Sequence, residues 1–520
     1  MGFIIKRPEG ESGKALPAIL IGLFVAFGGI LFGYDTGTIN GILAMDFFQS
    51  EFATDGRKEL TSSQTSLIVP ILSAGTFFGA LCASPFGDIL GRRMGLIASC
   101  LVFSIGVALQ VAATAIPLMA AGRVIAGLGV GLVSALVPLY QSESAPKWIR
   151  GSIVGCYQLA ITIGLLLAAC ANQGTHARNN HGSYRIPLAI QFVWAAILAG
   201  GMFILPETPR YYIKKDNMEA AAKSMSRLRS LPADHPAIIE ELNEIKAIHD
   251  LEMQATGEAT YLDCVKPDMI KRLLTGCGIQ ALQQLTGINF IFYYGTQFFK
   301  NAGIKNAFLI GLITNLVNVI STFPGLWMVE KMGRRNLLLF GAIGMCACQF
   351  IVAIVGITTV SAIANNVLIA FVCFYIFFFA CSWGPCSWVV TGEIYPLKVR
   401  AKCLSISTAT NWLLNWAIGF STPYLVAEGP GKPNLGTKIF FVWGSCCFLC
   451  IAFVYLFIYE TKGLSLENVD QLYMTVGHAW ESKKFTPSVS YNSDKMLSNG
   501  HGADGKSSEL AHIEGGHGEV

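Results

Sequence analysis

The stretch Gly276–Gly295, GCGIQALQQLTGINFIFYYG, decides how this chain is read. It is long and apolar enough to cross a bilayer, yet Gln280, Gln283, Gln284 and Asn289 lie in its middle. A lipid-facing helix would not hold four side-chain amides, because each costs free energy in hydrocarbon unless it finds a partner. They are uncharged, and each offers both donors and an acceptor. That chemistry suits a neutral polyhydroxylated molecule. At helical spacing Gln280 and Gln284 share a face, with Gln283 and Gly287 beside it. Gly287 precedes the asparagine and is expected to loosen the helix there, as in the broken helices of transporters. The alternative is that the amides only hydrogen-bond to neighbouring helices.

Composition extends this reading to the whole chain. Of 520 residues, 53% are hydrophobic and only 13% charged, and mean hydropathy is +0.51. A soluble domain carries about 25% charged residues, so an integral membrane protein is expected. A net charge of +4 argues against nucleic acid as a partner. The 15 cysteines are scattered through apolar runs without Cys/His ligand spacing, so they read as small hydrophobes, and no metal site is expected. No GxxxxGK[ST] loop occurs, so neither an ATP-driven pump nor an enzyme is expected, and no cofactor. The first apolar run exceeds a signal-peptide core and contains Asp35, so it reads as a retained span.

Apolar stretches of roughly 20 residues mark spanning helices. They fall near 17–42, 64–84, 95–114, 117–138, 151–172 and 186–205, then near 273–298, 307–328, 337–357, 366–390, 403–426 and 438–459. The expected fold is all-α: twelve transmembrane helices in two bundles of six. The expected divisions are an N-terminus 1–16, a bundle 17–205, a linker 206–272 with short amphipathic helices, a bundle 273–459 and a tail 460–520. The tail is expected to be mostly disordered, from Tyr473 onward. Arg92/Arg93, Lys147/Arg150, Lys331/Arg334/Arg335 and Lys398/Arg400/Lys402 share one side with the linker. The opposite loops hold Arg57, Lys58, Lys300 and Lys305, the first two mixed with acids. The positive-inside rule then makes that side, and both termini, cytoplasmic.

The two bundles echo each other. Gly87–Arg93, GDILGRR, and Glu330–Arg335, EKMGRR, each follow the second span of their half. Glu143 precedes Arg150 by seven residues, as Glu393 precedes Arg400. A duplicated six-helix unit follows, of the kind that rocks around a central site. The charges suggest a cytoplasmic gate of Asp88, Arg92, Glu143, Arg150, Glu330, Arg334, Glu393 and Arg400, in which the arginines pair with Glu143, Glu393 and helix C-termini across the halves when the inside is closed. The alternative is that the arginines only fix topology.

These residues, with further motifs, resemble the sugar porters of the major facilitator superfamily, most closely fungal hexose transporters. The carrying motifs are GYDTGTING, GDILGRR, GRVIAGLGVG, PETPRYYIKK, QQLTGINFIFYY, EKMGRR, GPCSWVVTGEIYPLKVRAK, NWLLNW and YETKGLSLENVD, spread over about residues 17–475. The resemblance implies sugar contacts at Gln158, Gln283, Gln284, Asn289, Asn318, Trp388 and Asn411, with Asn415 nearby. Amides pair with hydroxyls, and an aromatic face covers the C–H surface of a sugar ring. Animal facilitators often carry a glutamate where this chain has Ala380, so no carboxylate role is transferred there.

Asp35 and Arg123 form an ionisable pair inside the apolar spans, which is a functional hypothesis by default. Proton-coupled sugar porters resemble the chain at both positions, and the expected activity is proton symport of a monosaccharide, glucose first, across the plasma membrane by a functional monomer. A static ion pair in a facilitative hexose uniporter is the alternative, since yeast facilitative carriers keep the aspartate. A non-transporting glucose sensor is the third reading.

Overall fold

A computed structural model describes residues 14–53, 57, 59–146, 149–256, 260–301, 306–358, 362–396, 399–426, 435–464 and 466–485. Lys58, Lys147, Lys305 and Lys398, used above for orientation, lie outside the described residues, as do 1–13 and 486–520. Helices dominate, and no strand occurs among the described residues. Among the described residues ten helical stretches are long and apolar enough to cross a membrane, six of them between Leu16 and Ile204 and four between Ala307 and Phe457.

Two further stretches complete twelve: Pro267–Leu285 continued by Ile288–Asn301, and Arg400–Val426. These are the seventh and eleventh spans. Polar and charged residues dilute their hydropathy, because they carry the amides Gln280, Gln283, Gln284, Asn289, Asn411 and Asn415. The seventh begins at Pro267, before the expected 273, because its first turn is polar and Pro suits the opening of a helix.

Packing repeats between the halves with an offset of six spans. In the first half the first span packs on the fifth, the second and third on the fourth, and the third on the sixth. In the second half the seventh packs on the eleventh, the eighth and ninth on the tenth, and the ninth on the twelfth. The halves meet where the second span packs on the eleventh and the fifth on the eighth, a reciprocal pair. The first span also meets the seventh. Glycines permit close approach: a Cβ on Gly127, in GRVIAGLGVG, would overlap the Leu72 carbonyl oxygen. That is helix packing by small residues, not a nucleotide loop.

One polar construction appears twice on the linker side. The second and eighth spans turn directly into the third and ninth at Gly91 (φ 89°) and Gly333 (φ 84°), a left-handed region that favours glycine. The next helix starts there with unpaired N–H groups. Glu207 accepts from the Arg93 N–H at 2.9 Å. Glu460 accepts from the N–H groups of Arg334 at 2.9 Å and Arg335 at 3.2 Å. The neighbouring threonines hold the acids at the ends of the fourth and tenth spans: Thr208 donates to Glu143 at 2.6 Å and Thr461 to Glu393 at 2.7 Å. Burial raises the Glu207 carboxyl above its ordinary pKa, against the pull of the Thr208 and Arg93 N–H groups.

These clusters correct the expected pairing across the halves. Arg92 binds Glu143 at 3.0 Å and Asp88 at 3.3 Å, all in the first half. Arg334 binds Glu393 at 2.7 Å and Glu330 at 3.2 Å, all in the second. Arg400 donates to the Tyr395 carbonyl of its own half at 3.0 Å. The reason is local: the tight turn at Gly91 or Gly333 sets the first arginine of the incoming helix beside the acid in the last turn of the outgoing one, and the Glu-Thr pair brings the second acid to the same place. The halves approach each other here where the backbone of the fifth span meets Glu330 and Arg334. Arg150 opens the fifth span, and a Cβ on the adjacent Gly151 would lie 2.6 Å from Glu330 Oε1 and 3.0 Å from Arg334 Nη2.

The linker forms helices Pro209–Lys214, Met218–Arg229 and Pro236–Thr256. Their apolar faces bury Ile213, Ala221, Met225, Ile238 and Leu242 against one another, giving the linker a small core of its own. The tail continues in ordered form past Tyr473, where disorder was expected to begin. Helix Leu466–Thr475 and the turn Ala479–Lys484 pack back on the bundle through Tyr459, Leu472 and Ala479.

Candidate substrate-binding site

The seventh span is broken where its sequence suggested. Thr286 and Gly287 separate its two helices, and Gly287 has φ 85°. The Thr286 carbonyl freed by the break accepts from Tyr375 OH at 2.9 Å and Gln349 Nε2 at 3.2 Å. The ring of Trp443 fills the space beside Gly287, so a Cβ there would collide with it. Gly287→Ala therefore meets both backbone strain and a clash, and is expected to cost about 1–3 kcal/mol. A thermal melt of the purified variant checks it.

The break lets amides of both segments converge on the eleventh span. Asn411 is the hub. Its Nδ2 donates to Gln280 Oε1 at 2.7 Å and to Gln283 Oε1 at 2.8 Å, and its Oδ1 accepts from Gln284 Nε2 at 2.7 Å. Asn289 donates to Gln284 from across the break. Gln283 Nε2 reaches the carbonyls of Trp383 at 3.0 Å and Gly384 at 3.2 Å, where the tenth span is itself interrupted. Asn415 accepts from Tyr293 OH at 2.9 Å and from Ser73 of the second span at 2.6 Å, which ties the network to the first half. Such a chain of mutually satisfied amides holds its members in place without charge.

A cavity of about 40 Å³ lies against this network, between the halves. Of the expected contacts, Gln158, Gln283, Gln284, Asn289, Trp388 and Asn411 line it. Asn318 is the exception. It is fully buried in the eighth span, neither polar side-chain atom has a hydrogen-bond partner among the described residues, and it is not among the residues lining the cavity. Gln280 also stays off the wall, donating to Thr391 at 3.4 Å and accepting from Asn411. Trp388 stands edge-on to Tyr157, with ring centroids 5.6 Å apart.

The remaining wall is apolar or aromatic: Phe32, Ile161, Leu165, Ile288, Phe292 and Phe379, with Thr36 the further polar group. Sequence reasoning passed over these, although helical spacing carried a signal. Ile161 and Leu165 follow Gln158 on one face, and Phe292 follows Asn289 by three residues. A cavity of this size holds a few waters. The amides face inward but bind one another, so an entering polyol would exchange amide–amide bonds for amide–hydroxyl bonds. Such exchanges are nearly balanced in free energy.

Asp35 adjoins the cavity through its neighbour Thr36. Its Oδ2 lies 3.6 Å from Arg123 Nη2, and both side chains are almost completely buried. Arg123 also reaches the Val69 carbonyl at 3.4 Å. Neither carboxylate oxygen of Asp35 has a hydrogen-bond partner among the described residues. The structure thus brings a carboxylate and a guanidinium together in a buried place, beside a neutral polar cavity.

Comparison with known proteins agrees with this arrangement. A family model described as sugar (and other) transporter matches residues 21–473. The major facilitator-type transporter ecdD of Aspergillus rugulosus is 62% identical over 97% of this chain and 95% of its own. The probable glucose transporter rco-3 of Neurospora crassa is 52% identical over 95% of this chain and 85% of its own. The high glucose sensor RGT2 of Saccharomyces cerevisiae is 46% identical over 91% of this chain and 62% of its own. Among solved structures, the major facilitator proton:xylose symporter XylE bound to 6-bromo-6-deoxy-D-glucose superposes with a TM-score of 0.75. It is 27% identical and covers 88% of this chain and all of its own. The chain is therefore a multi-pass membrane protein, not an enzyme, and belongs to the sugar transporter family of the major facilitator superfamily.

Proposed function

We propose that this transporter carries a monosaccharide, glucose first, by alternating access across the plasma membrane, and couples the movement to a proton. The linker side is the cytoplasmic side in this reading, and both termini lie there. One observation carries it: the cavity sits between the halves, is lined by amides and Trp388, and adjoins the buried Asp35–Arg123 pair through Thr36. Neutral amides select hydroxyls, and a site built on them rejects analogues lacking hydroxyls because its own groups are then left unpaired. A carboxylate beside that site can exchange a proton as the first span shifts against the fourth within its own half and alters its distance from Arg123. The similarity to a structure described as a proton:xylose symporter supports coupling.

Proteoliposomes test it. Radiolabelled glucose should accumulate above equilibrium when an inward proton gradient is imposed, and the excess should collapse with a protonophore. Equilibration indifferent to the gradient would leave a facilitative carrier with the same pocket. The similarity to a protein described as a glucose sensor supports a second reading, and binding without flux would favour it.

The Gly151 contact supports a role for the charge clusters in closing the cytoplasmic side. Gly151→Leu would force the fifth span away from Glu330 and Arg334. It is expected to lower glucose uptake by about tenfold or more while leaving expression unchanged, and to raise the accessibility of the cytoplasmic cavity to membrane-impermeant reagents in inside-out vesicles.

A further inference from the structure

The last turn of the linker, Tyr261–Val265, takes no part in the sugar site and lies across both halves. A capping box forms it: Asp263 accepts from the Thr260 N–H at 2.7 Å and from the Thr260 hydroxyl at 3.0 Å. The turn packs on the seventh and eleventh spans. Tyr261 OH donates to the Leu81 carbonyl of the second span at 2.8 Å, so the turn also holds the first half. Lys402 of the eleventh span lies 5.9 Å from the centre of the Tyr261 ring. The next residue, Cys403, is buried against Cys264, and the two thiols are hydrogen-bonded to each other. Two thiols in contact, on elements far apart in sequence, are the starting arrangement for a disulfide.

We propose that Cys264 and Cys403 are a reversible thiol–disulfide switch: hydrogen peroxide closes the bond, a thiol reductant opens it, and the closed form staples the linker to the eleventh span. The linker side is cytoplasmic in the reading above, and disulfides that form in that compartment are transient and redox-sensing. Cys264 is the residue that attacks peroxide. The hydrogen bond from Cys403 lowers its pKa below the ordinary thiol value and Lys402 adds to this, against burial and Asp263. The thiolate is the nucleophile. It takes one oxygen of the peroxide as the O–O bond breaks, giving a sulfenic acid and hydroxide. The hydroxide takes up the proton that the thiol released and becomes water. Cys403 then attacks the Cys264 sulfur, the S–O bond breaks, and the hydroxyl leaves with the Cys403 proton as a second water. Two thiols lose two electrons, and one peroxide gains them. Cys264 is buried, yet its turn is five residues long and exposes Leu262 and Val265, so lifting that one turn admits a molecule as small as peroxide. With the bond closed, the turn is fixed to the eleventh span while Tyr261 holds the second, which restrains the two halves at this end. Only that restraint on transport rests on the transport reading; the bond itself does not.

Peptide mass spectrometry tests it on the full-length protein in lipid nanodiscs, without requiring flux. Trypsin leaves each cysteine alone in its peptide, residues 247–271 and 403–438, because it does not cut before Pro267 or Pro433. After peroxide treatment and alkylation of free thiols, these two peptides should appear joined, and dithiothreitol should separate them. In Cys403→Ala, Cys264 should instead be trapped by dimedone as the sulfenic acid, whereas in Cys264→Ala dimedone should leave Cys403 unlabelled. Hydrogen exchange over residues 260–266 should fall several-fold in the oxidised parent and stay unchanged in Cys264→Ala. Both peptides recovered unlinked, or Cys403 joined to a different cysteine, would overturn the pair. Complete cross-linking with unchanged exchange would overturn the staple. Glucose uptake in proteoliposomes should fall several-fold on oxidation and recover with dithiothreitol. A protein that moves no glucose in either state fails the transport reading instead, while the cross-link and the exchange still decide the switch.

Discussion

Asn411→Leu is expected to abolish saturable glucose binding while the protein still reaches the membrane in normal amount. Leucine keeps the branch point and the number of side-chain non-hydrogen atoms, although its methyl groups are bulkier than the amide and take up part of the cavity. What changes most is hydrogen bonding. Asn411 is bonded to Gln280, Gln283 and Gln284 at once, and leucine leaves an acceptor on each of the first two and a donor on the third without their partner. Each buried group so orphaned costs about 1–3 kcal/mol. The amides relax toward other partners, so a net loss of about 2–4 kcal/mol in affinity is a fair magnitude, or roughly 30- to 1,000-fold in Kd. Equilibrium binding of radiolabelled glucose to the purified variant measures it. A Kd within twofold of the parent would remove the amide network from the sugar site. Asn318→Leu is the internal control, because Asn318 is not among the residues lining the cavity and has no side-chain partner to orphan among the described residues.

The same network shows how much of the site was legible in sequence. Four amides inside an apolar stretch could be noticed from one helix, because solvation makes each of them costly there. Which amide faces the cavity was not legible in the same way. Gln280 and Gln284 share a helical face, yet Gln284 lines the cavity and Gln280 backs it, bonded to Thr391. That distinction depends on where the eleventh and tenth spans stand, and spacing along the seventh contains no information about them. Asn318 differs for a related reason: the family pattern assigned it a role, and it is not among the residues that line the cavity. The aromatic lining at Phe32, Phe292 and Phe379 was hidden among many equally apolar residues.

The linker-side charges teach a complementary lesson. Their repetition was readable, and the duplication it implied matches the packing of the two halves. Their partners are not legible from that repetition alone, because they depend on the Glu-Thr pair of PETPR and of YETKG acting as the same element in each half. Glu207 and Glu460 cap the incoming helix, and Thr208 and Thr461 hold Glu143 and Glu393 beside the arginines. With those four residues in place, Arg92 and Arg334 bind acids of their own halves, while Gly151 of the fifth span lies against Glu330 and Arg334 of the other half.

The second large effect is expected at Asp35. Asp35→Asn should abolish glucose accumulation above equilibrium and its response to a proton gradient, while exchange of labelled for unlabelled glucose persists. Moving one proton down ~100 mV releases ~2.3 kcal/mol, and one pH unit adds ~1.4 kcal/mol. The sum, ~3.7 kcal/mol, sustains roughly a five-hundredfold sugar gradient, all of which disappears if the titrating group is lost. The confounding effect is structural. Asp35 is the acid 3.6 Å from Arg123, whose Nε and Nη1 have no hydrogen-bond partner among the described residues. Removing one member of a buried pair costs about 3–5 kcal/mol, because the other charge remains buried without compensation. The double variant Asp35→Asn/Arg123→Gln separates the two effects by withdrawing the stranded charge. If exchange is absent in the single variant and returns in the double variant without accumulation, the carboxylate couples and the arginine had only been left unpaired. If accumulation survives in Asp35→Asn, the proton enters elsewhere and the pair is scaffold. If both variants fold, equilibrate glucose and match a parent that never accumulated it, the chain is a facilitative carrier in which the same ion pair braces the first span against the fourth.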